Sequence, residues 1–173
     1  GRPGLQHRLD EQYFSRIDAI EFSLQHDDGQ HLEGLDEADV ILTGVSRTSK
    51  TPTSMYLAYR GVKAANVPFV PGQGLPDRVM AVDRPGGPLF IALTETPERL
   101  VALRRARLRA DEGVNANAAR AAENEYLAEE AVQDEVRQAR RLFSERGWPV
   151  IDVTRRSVEE TAAEIMALME KRR

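Results

Sequence analysis

The sequence contains no cysteine and almost no lysine. Without cysteine the chain forms no disulfide, has no thiol nucleophile and offers no cysteine ligand to a metal, which favours a reducing compartment. Its 24 basic residues include only three lysines, Lys50, Lys63 and Lys171. A lysine that stands at a position suited to chemistry is therefore conspicuous.

Long apolar runs and a large excess of one charge are also missing. The apolar runs extend over only a few residues, which excludes a membrane-spanning helix, and no apolar segment near Arg2 and Arg8 resembles a secretory signal. A net charge of -4 argues against general nucleic-acid binding. We therefore expect a cytoplasmic protein that binds neither membranes nor nucleic acids.

The chain instead alternates short apolar runs with amphipathic segments. With 173 residues and 41% hydrophobic content it can bury one core, so we expect a single domain over residues 1–173. This alternation predicts an α/β fold, a mostly parallel sheet flanked by helices. The predicted strands are Ala38–Thr43, Val67–Val70, Val79–Val82, Leu89–Leu93 and Val150–Val153. The predicted helices run from Asp10 to the Asp28–Gly29 turn, over Thr51–Arg60, Pro97–Arg109 and Ala119–Arg146, and onward from Ser157, with a loop at Asp111–Ala118.

A loop with the spacing of a phosphate-binding loop lies between the first predicted strand and the helix after it. It has the form G-x-x-x-x-S-K-T and consists of Gly44, Val45, Ser46, Arg47, Thr48, Ser49, Lys50 and Thr51. Its amides and the helix N-terminus would hold phosphate, Lys50 would neutralise the terminal phosphoryl group, and the Thr51 hydroxyl would ligate Mg²⁺. Ser49 stands where such loops usually carry a second glycine, because the backbone bends tightly there.

The alternative is that Gly44 forms a simple turn and that Lys50 is a solvated residue at a helix start. A lysine is electrostatically unfavourable at a helix N-terminus unless an anion is present. Nucleotide binding is therefore the favoured interpretation of this loop.

Two adjacent carboxylates, Asp27 and Asp28, follow the first predicted helix. One could accept the proton of an attacking hydroxyl while the other orients magnesium, or the pair could simply form an Asp-Gly turn that ends the helix. Asp83 and Asp152 each follow an apolar run and are weaker candidates for a magnesium partner. His7, His26 and His31 lack the compact spacing of a zinc site.

Several further segments accompany the loop in a fixed order: Gln6–Asp10, Ile17–Phe22, His26–Gly29, Ala38–Ala58, Lys63–Pro68, Leu93–Thr94 with Pro97–Leu100, and Trp148–Ala163. With this series the chain resembles the pyruvate, phosphate dikinase regulatory protein family, whose close relatives regulate phosphoenolpyruvate synthase. The resemblance covers nearly the whole chain. Family members usually carry a further N-terminal region, which we expect to be absent here. The form VIDVTRRS and the Thr-Ser pair in the loop favour the dikinase branch over the synthase branch.

The resemblance implies a bifunctional serine/threonine kinase and phosphorylase. Such an enzyme transfers the β-phosphoryl group of ADP to a threonine of the dikinase, which inactivates it, and uses inorganic phosphate to remove that group as pyrophosphate, which restores activity. Residues Gly44 to Thr51 match the family's nucleotide-binding loop, including Ser49, and Asp27 and Asp28 match a second family motif. The implied partners and cofactors are the dikinase as protein substrate, ADP, inorganic phosphate and Mg²⁺, and a homodimer is a further expectation.

Two functions of other classes remain as alternatives. A small-metabolite kinase also places a phosphate loop between a strand and a helix, but it transfers to a freely diffusing acceptor. A nucleotide-sensing module would bind the same ligand without any transfer.

Overall fold

Four parallel strands form the centre of the molecule. The computed structural model describes residues 3–45, 47–112 and 118–172. The strands β1 (Val40–Gly44), β2 (Ala64–Pro68), β3 (Leu89–Thr94) and β4 (Val150–Asp152) lie in the order β2-β1-β3-β4. All three neighbouring pairs are parallel, and Leu42 of β1 lies opposite Asn66 of β2 and Ile91 of β3. The predicted α/β fold with a mostly parallel sheet is confirmed.

Helices cover both faces of this sheet. They are α1 (Pro3–Gln25), α2 (Lys50–Ala58), α3 (Asp77–Met80), α4 (Pro97–Glu112), α5 (Ala118–Arg146) and α6 (Val158–Arg172), with a short 3-10 turn at Leu35–Glu37. Leu42 packs in one cluster with Leu57 of α2 and Ile165 of α6. Ile41, on the opposite face, packs in another cluster with Phe143 of α5. Because both faces are covered, the central strands β1 and β3 are nearly continuous apolar runs. None of the described helices is long and apolar enough to cross a bilayer.

The direction of the chain across the sheet reverses after β2. From β1 the chain passes through α2 to β2 at the edge, then returns past β1 to β3 and continues to β4. In open parallel sheets, ligands bind in the crevice where such a reversal separates neighbouring strands at their carboxyl ends. The loop from Val45 to Ser49 leaves β1 at this end, between β2 and β3.

The prediction of a strand at Val79–Val82 is wrong. Residues Asp77–Met80 form the short helix α3, in which the Val79 amide donates to the carbonyl oxygen of Pro76 at 3.0 Å. The Val79 side chain is fully buried. A short apolar run fits a single helical turn as well as a strand, and the preceding proline, with φ of -57°, favours the turn.

The second strand lies earlier in the chain than predicted. It covers Ala64–Pro68 instead of Val67–Val70, because its register sets Ala64 beside Val40 of β1. Val70 instead forms an isolated bridge with Gly74, across the turn that follows.

Helix boundaries also differ from their predictions, and α2 ends at Ala58 instead of Arg60. α1 begins at Pro3 instead of after Asp10, and α4 continues to Glu112, past the predicted end at Arg109. The predicted loop at Asp111–Ala118 falls largely on residues 113–117, which lie outside the described part of the chain.

Candidate active site

The loop after β1 begins at a glycine that no other residue can replace without movement of the backbone. Gly44 has φ of +146°, a conformation that side chains of L-residues rarely adopt. A Cβ atom built on Gly44 would overlap the carbonyl oxygen of Leu93 in β3 and lie 3.2 Å from its carbonyl carbon. Gly44 therefore lets the start of the loop pass directly against the end of the neighbouring strand.

Two non-glycine residues take the left-handed conformation where the loop turns into α2. Arg47 has φ of +73°, and Ser49 has φ of +60° with ψ of 33°. Ser49 occupies the N-cap position of α2 but makes no side-chain hydrogen bond that caps the helix. The first amides of a helix have no acceptor within it, so this N-terminus can bind an anion. Ser46, which belongs to the predicted loop, lies outside the described residues.

Lys50 is buried and crosses the loop that precedes it. Only 6% of the residue is exposed, and its Nζ donates to the carbonyl oxygen of Val45 at 2.8 Å and to Thr48 Oγ1 at 3.4 Å. The Thr48 hydroxyl in turn donates to the same Val45 oxygen at 2.9 Å. Lys50 is therefore not the solvated helix-start residue of the alternative interpretation, and its ammonium group lies within the curve of the loop.

The turn that ends α1 brings Asp27 and Asp28 to the start of α2. The Thr51 hydroxyl donates to Asp27 Oδ1 at 2.8 Å, although the two residues are 24 positions apart. Asp28 has φ of +53° and begins the turn completed by Gly29, which has φ of +71°. The Asp-Gly turn is thus present, and it also places both carboxylates beside the loop. The two interpretations of these residues are compatible.

The loop and the turn together enclose a cleft of about 490 Å³. Its walls are formed by Arg47, Ser49, Lys50, Thr51 and Pro52 from the loop and α2, with Asp28 from the turn and Leu103 from α4. Gly44, Val45 and Thr48 belong to the loop but do not line the cleft, and the Thr48 hydroxyl donates to the Val45 carbonyl oxygen. Asp27 does not line the cleft either, but it accepts a hydrogen bond from Thr51, which does. The cationic residues Arg47 and Lys50 and the acidic residue Asp28 thus line one concave surface, whose size is ordinary for a small-ligand site.

The residues beside this cleft fit a magnesium ion. The Thr51 hydroxyl and the Asp27 carboxylate are oxygen donors that already lie within hydrogen-bonding distance of each other. Magnesium is commonly bound by one or two protein oxygens together with water and substrate phosphate oxygens. Within the described residues no cluster of three or more His, Cys, Asp or Glu side chains could hold a metal without such help.

A second pair of carboxylates lies at the same end of the sheet: Glu95 follows β3, and Asp152 is the last residue of β4. Burial raises the pKa of Glu95, the nearby charge of Arg99 opposes this increase, and the charge of Asp152 adds to it. Hydrogen bonds from the Thr154 hydroxyl and amide lower the pKa of Asp152. Asp152 is not among the residues that line the cleft, and its role as a magnesium partner stays a prediction.

Asp83, the other weak magnesium candidate, lies among structural partners. It accepts a hydrogen bond from Trp148 Nε1 at 3.0 Å and pairs with Arg146 at 3.7 Å. These partners precede β4, whereas the loop follows β1, so Asp83 lies toward the opposite end of the parallel strands from the cleft.

Comparison with known proteins identifies the family. The model of the kinase/pyrophosphorylase family matches residues 1–166. The chain belongs to the kinase/pyrophosphorylase family. Three relatives that carry the provisional name of pyruvate, phosphate dikinase regulatory protein come from Rhodopseudomonas palustris, Afipia carboxidovorans and Novosphingobium aromaticivorans, and they are 51%, 52% and 51% identical to this chain.

These relatives are longer than the present chain. The alignments cover 99%, 96% and 99% of this chain, but 58% of each relative. The kinase/pyrophosphorylase segment described here therefore spans less than two thirds of the curated proteins it matches. Its family membership agrees with the resemblance drawn from the sequence motifs.

Proposed function

We propose that this chain is the nucleotide-binding part of a bifunctional regulator of pyruvate, phosphate dikinase. In one direction it transfers the β-phosphoryl group of ADP to a threonine of the dikinase and releases AMP. In the other it transfers the threonine phosphate to inorganic phosphate and releases pyrophosphate. Support comes from the family match, from the names of the relatives, and from the cleft that joins the Gly44–Thr51 loop to the Asp27–Asp28 turn.

One cleft suffices for both reactions because both move a phosphoryl group between a threonine oxygen and a phosphate oxygen. In the kinase direction the threonine Oγ bonds to the β-phosphorus, the bond from that phosphorus to the bridging oxygen of AMP breaks, and the hydroxyl proton passes to a base. In the phosphorylase direction an oxygen of inorganic phosphate bonds to the phosphorus, the bond to threonine Oγ breaks, and Oγ takes up a proton. A carboxylate that accepts the proton in one direction can return it in the other.

The side chains of the cleft match the requirements of this transfer. Lys50 and Arg47 supply positive charge for the transferred group and its neighbouring phosphate, and the N-terminus of α2 supplies amide donors. Asp27 and Asp28 are our candidates for the base. Thr51 and Asp27 would hold Mg²⁺, which neutralises charge on the phosphate oxygens when it is bound.

The observation that carries the proposal is that residues of opposite charge line the same cleft. Asp28 and Lys50 are 22 positions apart in the sequence, yet both line the same concave surface. Phosphoryl transfer needs mainly positioning and charge neutralisation, so a base and a phosphate-binding cation must share one site. A turn that served only to end α1 would not need to face the loop.

The test is transfer of label from ADP to the dikinase. The 173-residue chain is incubated with Mg²⁺, ADP labelled in the β-phosphoryl group, and dikinase phosphorylated on its catalytic histidine, and labelled residues are identified by mass spectrometry. We expect label on a threonine with the wild-type chain and at least about a hundredfold less with Lys50→Ala, because removal of a charge that stabilises the transition state typically costs 10² to 10³ in rate.

Lys63→Ala is the matched control. Lys63 precedes β2, at the opposite end of the parallel strands from the loop, and we expect this variant to transfer label at the wild-type rate. Transfer from ATP alone, label on a small metabolite, or equal activity of Lys50→Ala would overturn the proposal. A chain that binds ADP without transfer would indicate the nucleotide-sensing module, and label on phosphoenolpyruvate synthase alone would place the chain in the synthase branch.

The phosphorylase half needs a separate measurement. Dikinase phosphorylated on threonine is incubated with the chain and inorganic phosphate, and pyrophosphate is measured directly. We expect pyrophosphate in an amount equal to the threonine phosphate lost. Release of inorganic phosphate without pyrophosphate would show hydrolysis and refute this half of the proposal.

A further inference from the structure

Asn66 is a buried polar residue in the middle of an otherwise apolar strand. Only 1% of the residue is exposed. Asn66 and Ala64 are two positions apart in the strand, so both lie on the face of the sheet that α2 covers. Its Nδ2 donates to Asp27 Oδ1 at 2.6 Å and to Ser54 Oγ at 3.2 Å, and its Oδ1 accepts from the Asp28 amide at 2.9 Å. Both carboxylate residues of the turn therefore contact this one side chain.

The backbone of Asn66 holds the same turn. Its amide donates to the carbonyl oxygen of His26 at 3.1 Å, and its carbonyl oxygen accepts from the Gly29 amide at 3.0 Å. The four residues of the turn, from His26 to Gly29, are thus fastened to one residue of β2. A strand residue chosen only for packing would not need a side chain that continues this pairing.

We propose that Asn66 is the residue that positions Asp27 and Asp28 against the phosphate-binding loop. This inference rests on the proposed function and adds a part to its machinery. Asp27 Oδ1 receives two donors, Asn66 Nδ2 and the Thr51 hydroxyl, which together fix the plane of the carboxylate. Its Oδ2 then remains as the oxygen that takes the substrate proton or a magnesium ion.

A second hydrogen bond extends this arrangement to the lysine of the loop. Ser54 Oγ, which accepts from Asn66, itself donates to the carbonyl oxygen of Lys50 at 2.8 Å. Asn66 therefore joins the carboxylate turn to the first turn of α2, where Lys50 and Thr51 are found. An asparagine suits this place because its amide supplies a donor and an acceptor on one planar group, which neither aspartate nor leucine can do.

The test compares two Asn66 variants with a matched control in the labelling assay. Asn66→Asp keeps an acceptor for the Asp28 amide but sets an oxygen against Asp27 Oδ1, and Asn66→Ala removes both contacts. We expect each to lower the single-turnover rate constant at saturating ADP by about 10- to 100-fold, the usual effect of losing a residue that orients a ligand or base. ADP affinity should change less than about threefold, because the loop itself is intact.

The control is Ser23→Ala. Ser23 is buried, and its hydroxyl donates to the carbonyl oxygen of Ala64 at 2.7 Å, so it joins α1 to β2 without contact with the turn carboxylates. We expect it to lower stability by an amount similar to Asn66→Ala, while the rate constant per folded molecule stays at the wild-type value. An equal loss of rate in Ser23→Ala would mean that general loosening of α1 is responsible and would overturn the inference.

A double-mutant comparison tests whether Asn66 acts through Asp27. In an Asp27→Asn background, Asn66→Ala should lower the rate constant by less than about threefold, since the group that it positions is already altered. A further loss as large as that in the wild-type background would overturn the inference.

A measurement independent of activity separates this inference from the proposed function. If the wild-type chain transfers no label, the proposed function has failed, and amide hydrogen exchange still tests the positioning. We expect Asn66→Ala to accelerate exchange of the Asp28 amide at least about tenfold relative to Ser23→Ala, because that amide loses its acceptor. Equal exchange rates in the two variants would show that Asn66 does not hold the turn.

Discussion

Gly44→Ala is a substitution for which the structure predicts a large local effect. The added methyl group would overlap the carbonyl oxygen of Leu93 and lie 3.3 Å from Thr48 Oγ1. Leu93 is a backbone neighbour in β3, paired beside β1 in the centre of the sheet, so no flexible side chain can yield. To remove this overlap, β1 and β3 must move apart or the backbone of the loop must change conformation.

The expected cost has two parts. Placing alanine in a backbone conformation that favours glycine costs about 1 to 3 kcal/mol, and forcing extra volume into a packed site costs about 1 to 3 kcal/mol. The sum, roughly 2 to 6 kcal/mol, is a large share of the 5 to 15 kcal/mol that typically separates folded from unfolded domains. The same displacement moves Val45 and Thr48, which hold the Lys50 ammonium group, so ADP binding should also weaken.

Urea denaturation followed by circular dichroism gives the free energy of unfolding, and calorimetric titration with ADP gives the affinity of the folded fraction. Gly61→Ala is the matched control, because Gly61 also has positive φ, +82°, but no described atom lies within 4 Å of its added Cβ. It should cost only the conformational part, about 1 to 2 kcal/mol. If Gly44→Ala destabilised the protein no more than Gly61→Ala and bound ADP normally, the close approach of β1 and β3 would not matter.

Two further predictions follow from Thr51 and Glu95. Thr51→Val should raise the Mg²⁺ concentration needed for half-maximal label transfer at least about tenfold while Thr51→Ser should not, because serine keeps the hydroxyl; identical behaviour of both would exclude Thr51 as a ligand. Burial raises the pKa of Glu95, so the folded state binds the proton of this carboxyl group more tightly than the unfolded state does. Ionisation of Glu95 therefore lowers the stability of the fold as pH rises above the ordinary glutamate pKa of about 4.3. Glu95→Gln should therefore raise Tm at pH 7, with the gain shrinking toward pH 4 in thermal unfolding scans; a gain independent of pH would contradict this reasoning.

Much of the order of strands and helices could be predicted because the central strands β1 and β3 are covered on both faces. Residues such as Ile41 and Leu42 face opposite sides yet are both fully buried, which produces an uninterrupted apolar run. The strand–loop–helix order around Lys50 was predictable for the same reason. The run at Val79 shows the limit of this signal, since a buried side chain looks the same in a helical turn as in a strand.

The structure shows which conformation Ser49 adopts at the position where such loops usually carry glycine. Ser49 takes the left-handed conformation that glycine would adopt without cost. The sequence pattern could predict a tight bend at position 49, but it could not show whether a serine would adopt the left-handed conformation there. Ser49 adopts this conformation as the N-cap residue of α2, and its carbonyl oxygen accepts a hydrogen bond from the Thr53 amide at 3.1 Å.

The role of Asn66 was beyond sequence reasoning for a different reason. Its only signal is a polar residue within the strand segment AANVP, and such a residue could equally face solvent at the edge of a sheet. Its meaning depends on the strand order, which puts β2 beside β1 and thus beside the loop, and on α1, which ends where β2 can bind its last turn. Sequence patterns locate Asp27 and Thr51 along the chain, but the parallel topology makes them neighbours of Asn66, because it gathers the ends of α1 and β1 and the start of α2 at one end of the strands.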